Sequence, residues 1–277
     1  MSFNYLQYKQ NVYSPRFIVK QYDNYSGRII KLKNVRQKGF EEFLKNEEKL
    51  EKYIKTDTEE LHRISLSRTK MNIREICLCN DFEYFATWTI NEKNNDRFHL
   101  DKVVEYMKKL LKAYQRKFKD FKYIYIIEKH ENGGYHFHGF VKGIPGEELF
   151  LYTKEDYTFP KKLPYRLINS IEKGNIIYHI PFFDNKQGFN TFSKIKSKYG
   201  ASNYIMKYIT KNPIRTSENQ IYFCSRGLKR ANCIEIQPNL DFDFANSYEN
   251  DYCKIWDYNI LNMKHKYLID LITAFKM

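Results

Sequence analysis

The sequence has few cysteines, glycines and prolines and no long apolar run. Its five cysteines form no C-x-x-C pair, and Cys77–Leu78–Cys79 has no second pair with which to bind zinc, so we expect reduced thiols. With 11 Gly and 7 Pro, the chain is neither fibrous nor of low complexity. No apolar stretch approaches the roughly 18 residues of a membrane-spanning helix, and the first residues lack the apolar core of a signal peptide. We therefore expect a cytoplasmic protein that does not contact the membrane.

The composition favours a folded, basic protein. Hydrophobic residues make up 42% of the 277 residues and aromatic residues 17%, which excludes a disordered chain. The 47 Lys and Arg against 33 Asp and Glu give a net charge of +14. This excess indicates either a solvated basic surface or a polyanionic partner. No strongly basic amphipathic helix stands apart as an anchor, so nucleic acid is favoured over lipid.

Hydrophobic periodicity predicts a chain of mixed helices and strands. The predicted helices cover residues 38–56, 58–79, 100–119, 165–172 and 201–211, with another in the apolar tail from Trp256. The predicted strands cover residues 84–90, 122–128, 135–141, 175–180 and 220–225, and a hairpin joins Phe17–Val19 to Ile29–Ile30. The βαββ order from residue 84 predicts an α+β fold, with a mainly antiparallel sheet and helices on one face. We divide the chain into an N-terminal region (1–62), a central domain (63–230) and a C-terminal acidic segment with a helix (231–277).

Two histidines and a glutamate form the sharpest pattern. His136 and His138 are two residues apart on a predicted strand, so both imidazoles lie on one face. The turn near Asn132 places Glu128 roughly opposite them, about 5 Å away on the same face. A carboxylate and two imidazoles with open positions suit Mg²⁺ or Mn²⁺ holding a phosphate. The alternative is a polar sheet face without a metal, with Glu128 an ordinary carboxylate at a strand end; His130 has the same parity as Glu128 and is a second-shell candidate.

The doubled motif YxxKYxxK spans residues 204 to 211. On a helix, Tyr204 and Tyr208 share a face, and Lys207 and Lys211 each lie three residues beyond a tyrosine. A phenol is a poor nucleophile at neutral pH, and a nearby cation together with a metal-polarised phosphate favours attack by the phenolate. The alternative is an amphipathic helix with core tyrosines and solvated lysines.

Basic and aromatic residues alternate between Lys186 and Arg230, a stretch whose single acid is Glu218. Basic groups for phosphates and aromatic faces for bases predict a groove for single-stranded nucleic acid, against the alternative of a solvated basic surface. The DNA-binding candidates are Lys194, Lys196, Lys198, Arg226, Lys229 and Arg230.

Taken together, these motifs resemble the rolling-circle replication initiators of the HUH endonuclease superfamily, of the two-tyrosine type found in single-stranded DNA phages and plasmids. The resemblance rests on YFATWTIN…DR at 84–97, EKHENGGYHFHGF at 128–140, YIMKYITK at 204–211 and YFCSRGLKR at 222–230, in the order that the family has them. The strand motif reads TWTIN, where the family often has an aromatic residue after the second threonine.

The resemblance implies an RRM-like antiparallel sheet with flanking helices, and a metal-dependent endonuclease and ligase acting on single-stranded origin DNA in the host cytoplasm. By carry-over, Tyr204 and Tyr208 are the nucleophiles, Lys207 and Lys211 assist charge at the phosphate, and Glu128, His136 and His138 hold Mg²⁺ or Mn²⁺. One tyrosine forms a 5′-phosphotyrosine bond and frees a 3′-OH, and the second tyrosine allows the circle to be closed.

Other assignments stay open at this point. A relaxase and a single-tyrosine transposase share the chemistry, and a non-enzymatic single-strand DNA- or RNA-binding protein would use the same basic groove without a metal or a covalent adduct. The sequence contains no G-x-x-x-x-G-K-[ST] phosphate-binding loop, so we expect a host helicase, supercoiling or an extruded hairpin to open the duplex.

Overall fold

A computed structural model describes residues 16–33, 58–91, 96–153, 163–186, 188–211, 214–216, 220–236, 247–250, 253–262 and 269. The helix predicted over residues 38–56 lies outside these ranges. The chain divides into two compact units, which we call the central unit (Leu66–Lys229) and the terminal unit (Met1–Ser65 with Arg230–Met277). None of the described helices combines the length and the apolar character that crossing a membrane requires.

The described residues contain twelve strands and five α-helices, numbered here in chain order. The strands are β1 (Arg16–Gln21), β2 (Ser26–Leu32), β3 (Tyr84–Thr89), β4 (Lys122–Lys129), β5 (Tyr135–Lys142), β6 (Phe150–Leu151), β7 (Ile177–His179), β8 (Asn190–Lys194), β9 (Tyr222–Cys224), β10 (Asn232–Ile236), β11 (Tyr248–Glu249) and β12 (Cys253–Asn259). The helices are α1 (Thr58–Cys79), α2 (Leu100–Lys117), α3 (Tyr165–Glu172), α4 (Pro181–Lys186) and α5 (Lys198–Lys211). This is the predicted α+β class, and it is compatible with an RRM-like sheet with flanking helices.

The central unit is built on one seven-stranded sheet in the order β6-β7-β8-β3-β5-β4-β9, and every neighbouring pair is antiparallel. The predicted βαββ segment supplies β3, α2, β4 and β5. Strand β8, which the sequence analysis does not predict, pairs with β3 on the side away from β5. Strands β3 and β5 therefore lie in the interior of the sheet, with paired neighbours on both sides.

Helices cover both faces of this sheet, so the prediction of helices on one face is wrong. Because side chains alternate along a strand, Trp88, Tyr125 and Phe137 point to one face, where they pack with α2. Ile124, Ile126 and Phe140 point to the other face and pack with buried residues of α1 and α5. The apolar residues of α1 and α5 are separated in sequence from those of α2 by whole strands, and strand parity alone assigns them no face.

The terminal unit contains a five-stranded antiparallel sheet in the order β10-β1-β2-β12-β11. The predicted hairpin over Phe17–Val19 and Ile29–Ile30 is confirmed, since β1 and β2 pair around a turn in which Asp23 Oδ1 accepts hydrogen bonds from the backbone of Tyr25 and Ser26. Strands from both terminal segments, which the sequence analysis treats separately, thus share one sheet.

The predicted helix starting at Trp256 is wrong over residues 256–259, which belong to β12. Trp256 and Tyr258 are two residues apart and both buried, packing with Phe17, Val19 and Ile29. Spacing of two is the period of a strand. The pairing partner of β12 is β2, more than two hundred residues earlier in the chain, and local sequence carries no signal for it.

Candidate functional site

Glu128 and the two histidines come together on the α1/α5 face of the central sheet. The register of β4 and β5 places Glu128 opposite His136, which confirms the predicted hairpin alignment. The closest contact is diagonal, because Glu128 Oε2 lies 2.7 Å from His138 Nε2. His138 is buried and Glu128 half-buried, so this hydrogen bond lies in a partly desolvated setting where it is stronger than at the surface.

Two threonines of β3 hold the histidines in place, and the sequence analysis gives them no role. Thr87 lies opposite His138 and Thr89 opposite His136. Thr87 Oγ1 is 3.1 Å from His138 Nδ1, and Thr89 Oγ1 is 3.2 Å from His136 Nδ1. Each Nδ1 is therefore engaged by a hydroxyl, which leaves Nε2 as the nitrogen available for other chemistry. The available signal was the T-x-T spacing of β3, which matches the H-x-H spacing of β5.

The electrostatics of this group favour an ionised carboxylate beside a neutral imidazole. The hydrogen bond with His138, supported by the neighbouring imidazoles of His136 and His130, lowers the pKa of Glu128 despite its partial burial. Burial, followed by repulsion from His130 and His138, lowers the pKa of His136 to about 4. The His130 ring centroid is 5.0 Å from that of His136. At neutral pH, Glu128 and His136 are thus in the protonation states in which such groups bind metals.

The donor chemistry of Glu128, His136 and His138 fits a hard or borderline divalent cation, with one carboxylate oxygen and two imidazole nitrogens. The threonine contacts match the outer hydrogen bonds that metal-ligating histidines usually make. Within the described ranges, however, no three His, Cys, Asp or Glu side chains stand in an arrangement that could hold a metal ion. The direct Glu128–His138 hydrogen bond occupies the atoms that both residues would use as ligands.

Tyr204 and Tyr208 lie against the histidines, on α5. Helix α5 is anchored by Ile205 and Ile209, which are buried in the core on this face of the sheet. The Tyr208 ring stacks on the His138 ring, with centroids 4.2 Å apart and an angle of 17°. The Tyr204 ring meets Phe85 of β3 edge-on at 5.2 Å. The expected shared helix face is confirmed.

The two phenols are not equivalent. The Tyr208 hydroxyl donates a hydrogen bond to the Tyr204 hydroxyl at 2.8 Å. Burial is the main cause that raises the pKa of Tyr208, and the hydrogen bond to Tyr204 and the negative charge of Glu128 add to it. Tyr204 is 44% exposed. Tyr208 therefore holds its proton firmly, whereas the Tyr204 oxygen is accessible and already accepts a hydrogen bond.

Of the two lysines in the doubled motif, Lys207 is exposed, and its Nζ lies 5.7 Å from the centre of the Tyr204 ring. That places a positive charge beside the more accessible phenol. The Lys211 side chain lies outside the described part of the structure.

The predicted DNA-binding residues differ in their surroundings. Lys194 and Lys196 are exposed at the end of β8 and just beyond it. Lys198, at the start of α5, forms an ion pair with Asp81, so part of its charge is compensated.

The other predicted basic residues follow β9. Arg226 and Lys229 are exposed, and the backbone of Lys229 is fixed by the buried side chain of Asn80, which accepts from its N–H and donates to its carbonyl, each at 3.0 Å. Arg230 belongs to the terminal unit. The structure thus anchors the backbone of the segment that carries Arg226 and Lys229 in the central unit.

Residues 83–213 match the model of a family of replication-associated proteins, the ORF2 group. The matched region is a little under half of the chain, runs from just before β3 to just after α5, and contains every side chain of the site described above. No curated protein and no solved structure matched the chain. The family match supports a replication-associated protein with a role in replication initiation.

Proposed function

We propose that this protein initiates rolling-circle replication by nicking and rejoining single-stranded origin DNA through a 5′-phosphotyrosine intermediate, as an HUH endonuclease of the two-tyrosine type from a phage or plasmid. The observation that carries the proposal is the stacking of Tyr208 on His138, which brings two phenols to the Glu128–His138 pair. The proposed partners are single-stranded origin DNA and a host helicase.

In the proposed nicking step, the Tyr204 oxygen attacks a phosphodiester phosphorus. A bond forms between that oxygen and phosphorus while the bond from phosphorus to the 3′ oxygen breaks, the phenolic proton passes to solvent, and the 3′ oxygen takes up a proton. Mg²⁺ or Mn²⁺ held by Glu128, His136 and His138 supplies Lewis-acid polarisation of the phosphate when bound. The phosphotyrosine conserves the energy of the broken bond, so rejoining by a free 3′-OH needs no external energy source.

The inequality of the phenols assigns the order of attack in this proposal. A phenolate on Tyr204 accepts the hydrogen bond that Tyr208 donates, which stabilises the charge. Lys207 adds a positive charge at the same ring. Tyr208, whose pKa is raised, acts second, in the transfer that closes the displaced circle.

A covalent-trapping assay tests the proposal. The full chain is mixed with circular single-stranded DNA of its own replicon and Mn²⁺, with and without EDTA, then denatured, digested and searched for nucleotide-modified peptides by mass spectrometry. We expect an adduct on Tyr204, lost with EDTA and with Tyr204→Phe, and no adduct with the Tyr204→Phe, Tyr208→Phe double variant.

Tyr199→Phe is the matched control, because Tyr199 is an exposed tyrosine on the same helix. It should leave the adduct unchanged. An adduct formed by the double variant would refute the nucleophile assignment, and an undiminished adduct in EDTA would refute the metal. Tight DNA binding with no adduct under either condition would establish instead a non-enzymatic single-strand binding protein.

A further inference from the structure

The loop that leads into α2 is fastened to the β4–β5 hairpin beside the candidate site. The backbone N–H of Tyr135, the first residue of β5, donates to the carbonyl of Arg97 at 3.0 Å. Within the loop, Asp96 Oδ1 accepts from the backbone of Phe98 at 3.2 Å. Tyr135 directly precedes His136, so Arg97 is held one residue away from a candidate ligand.

Two glycines in the hairpin turn make room for this loop. A Cβ added to Gly134 would lie 3.2 Å from Arg97 Nε and 3.3 Å from Arg97 Cδ. A Cβ on Gly133, which has φ of +88°, would lie 3.6 Å from the Phe98 ring. The Gly-Gly pair of the hairpin therefore also serves to seat the Arg97 side chain against the turn.

The seated side chains form an aromatic surface next to a cation. The Arg97 guanidinium lies 5.1 Å from the centre of the Phe98 ring, and Phe98 is 52% exposed. The positive charge of Arg97 reaches His136, where it contributes to the low pKa of that imidazole. A planar guanidinium binds phosphate oxygens, and an exposed ring stacks on a nucleobase whatever its identity.

We propose that Arg97 and Phe98 form a nucleotide subsite that binds the DNA residue next to the scissile phosphodiester, with the guanidinium on its phosphate and the phenyl ring on its base. This proposal rests on the proposed function for the position of the scissile bond. The subsite would fix the register of the strand relative to Tyr204 and so contribute to the choice of the nicked position.

The test couples a protein change to a DNA change. Binding is measured with the full-length Tyr204→Phe, Tyr208→Phe double variant, which separates affinity from chemistry, and with oligonucleotides from the origin strand that each carry one abasic site. We expect an abasic site at one position to weaken binding roughly 5- to 150-fold. Adding Phe98→Leu should weaken binding to intact DNA by a similar factor and remove the penalty at that position alone, while Phe98→Tyr restores it.

Arg97→Gln should weaken binding to every oligonucleotide and reduce the slope of log affinity against log salt by about 0.7, the value for one lost phosphate contact on a single strand. The matched controls are Phe150→Leu and Arg116→Gln, since both residues are exposed in the central unit. Neither should remove the abasic penalty, and Arg116→Gln should leave the salt slope unchanged.

The outcomes separate this proposal from the proposed function. An adduct with the wild-type protein but no position coupled to Phe98 would overturn the subsite alone. A coupled position without any adduct would sustain a single-strand subsite and overturn the nicking activity. If Phe98→Leu fails to fold, judged by its thermal midpoint, the salt slope of Arg97→Gln decides, and an unchanged slope overturns the subsite.

Discussion

Thr87 and Thr89 are the residues whose role follows most directly from side-chain geometry. Thr87→Val and Thr89→Val keep the shape and strand preference of threonine but remove the hydroxyl that holds Nδ1. Loss of such an outer hydrogen bond typically costs 10- to 100-fold in metal affinity or activity. We expect each variant to lose Mn²⁺-dependent adduct formation by about that factor, and NMR of the imidazole nitrogens to show a changed tautomer population at the histidine concerned.

Thr191→Val is the control for this pair. Thr191 lies opposite Thr87 on β8, on the same face of the sheet, and makes no hydrogen bond to either histidine in the described structure. It should keep both the adduct and the tautomer populations. Equal losses in all three variants would mean that the effect comes from packing of the face and not from the Thr–His hydrogen bonds.

His136 gives a pH dependence of stability with a defined sign. An unfolded-state histidine titrates near 6.5, whereas burial and two neighbouring imidazoles keep His136 neutral in the fold down to about pH 4. Between these values the unfolded chain binds more protons, so the free energy of unfolding falls as the pH is lowered from 7 to 5. Urea unfolding of His136→Gln should show a smaller fall than the wild-type protein does.

His99→Gln serves as the comparison for His136→Gln, since His99 is exposed in the same unit. It should retain the wild-type pH dependence over this window. A steeper fall in His136→Gln than in wild type would show that the sign is wrong and that the folded protein binds the proton more readily than the unfolded chain.

At the residue scale, part of the site could be predicted from the sequence. The turn residues between two strands fix the register, so Glu128 opposite His136 follows from counting. The same counting does not give the diagonal contact of Glu128 with His138, nor the inequality of Tyr204 and Tyr208. Those depend on which side chains are buried, and burial is decided by α5 packing on a sheet that is assembled from distant segments.

At the element scale, the close approach of β4 and β5 makes Gly139 a structural residue of the H-x-H-G motif. A Cβ there would clash with the carbonyl oxygen of Ile124 and lie 2.9 Å from Tyr125 Cα. Because both neighbours are backbone atoms of a paired strand, the clash cannot be relieved by a rotamer change. We expect Gly139→Ala to reduce the free energy of unfolding by about 1–3 kcal/mol or more, measured by urea unfolding.

Gly146→Ala is the matched change for Gly139→Ala. An added Cβ at Gly146 meets no atom within 4 Å, and its φ is not positive. This variant should unfold at the wild-type urea concentration or slightly above it, because alanine restricts the unfolded chain. If Gly139→Ala were equally neutral, the strands must separate more easily than their pairing implies.

Element prediction succeeds where a pattern is long and one-sided, and fails where pairing is remote. The spacing of Val103, Met107, Leu110 and Tyr114 predicts α2, and all four are buried. The short apolar run around Trp256 fits the periods of both a helix and a strand, and only its pairing with β2 decides between them.

At the scale of the whole molecule, each unit has its own core, and each core contains one of the two tryptophans. Trp88 is buried with α2 in the central unit, and Trp256 is buried with β1 and β2 residues in the terminal unit. The sequence could show that both indoles belong to apolar segments. It could not show that the two ends of the chain share a core, because that depends on pairing between β1 and β10 and between β2 and β12.

Separate cores predict separable responses to mutation. Replacing a buried tryptophan by alanine typically costs about 3–5 kcal/mol, which is large relative to the stability of a small domain. We expect Trp256→Ala to speed amide hydrogen exchange in β1, β2 and β12 while β4 and β5 keep their protection and Tyr204 still forms its adduct. Trp88→Ala should do the reverse, exposing β3 to β5 and abolishing the adduct. Loss of protection in β4 and β5 on Trp256→Ala would show instead that the two units unfold as one cooperative body and that the chemistry depends on both.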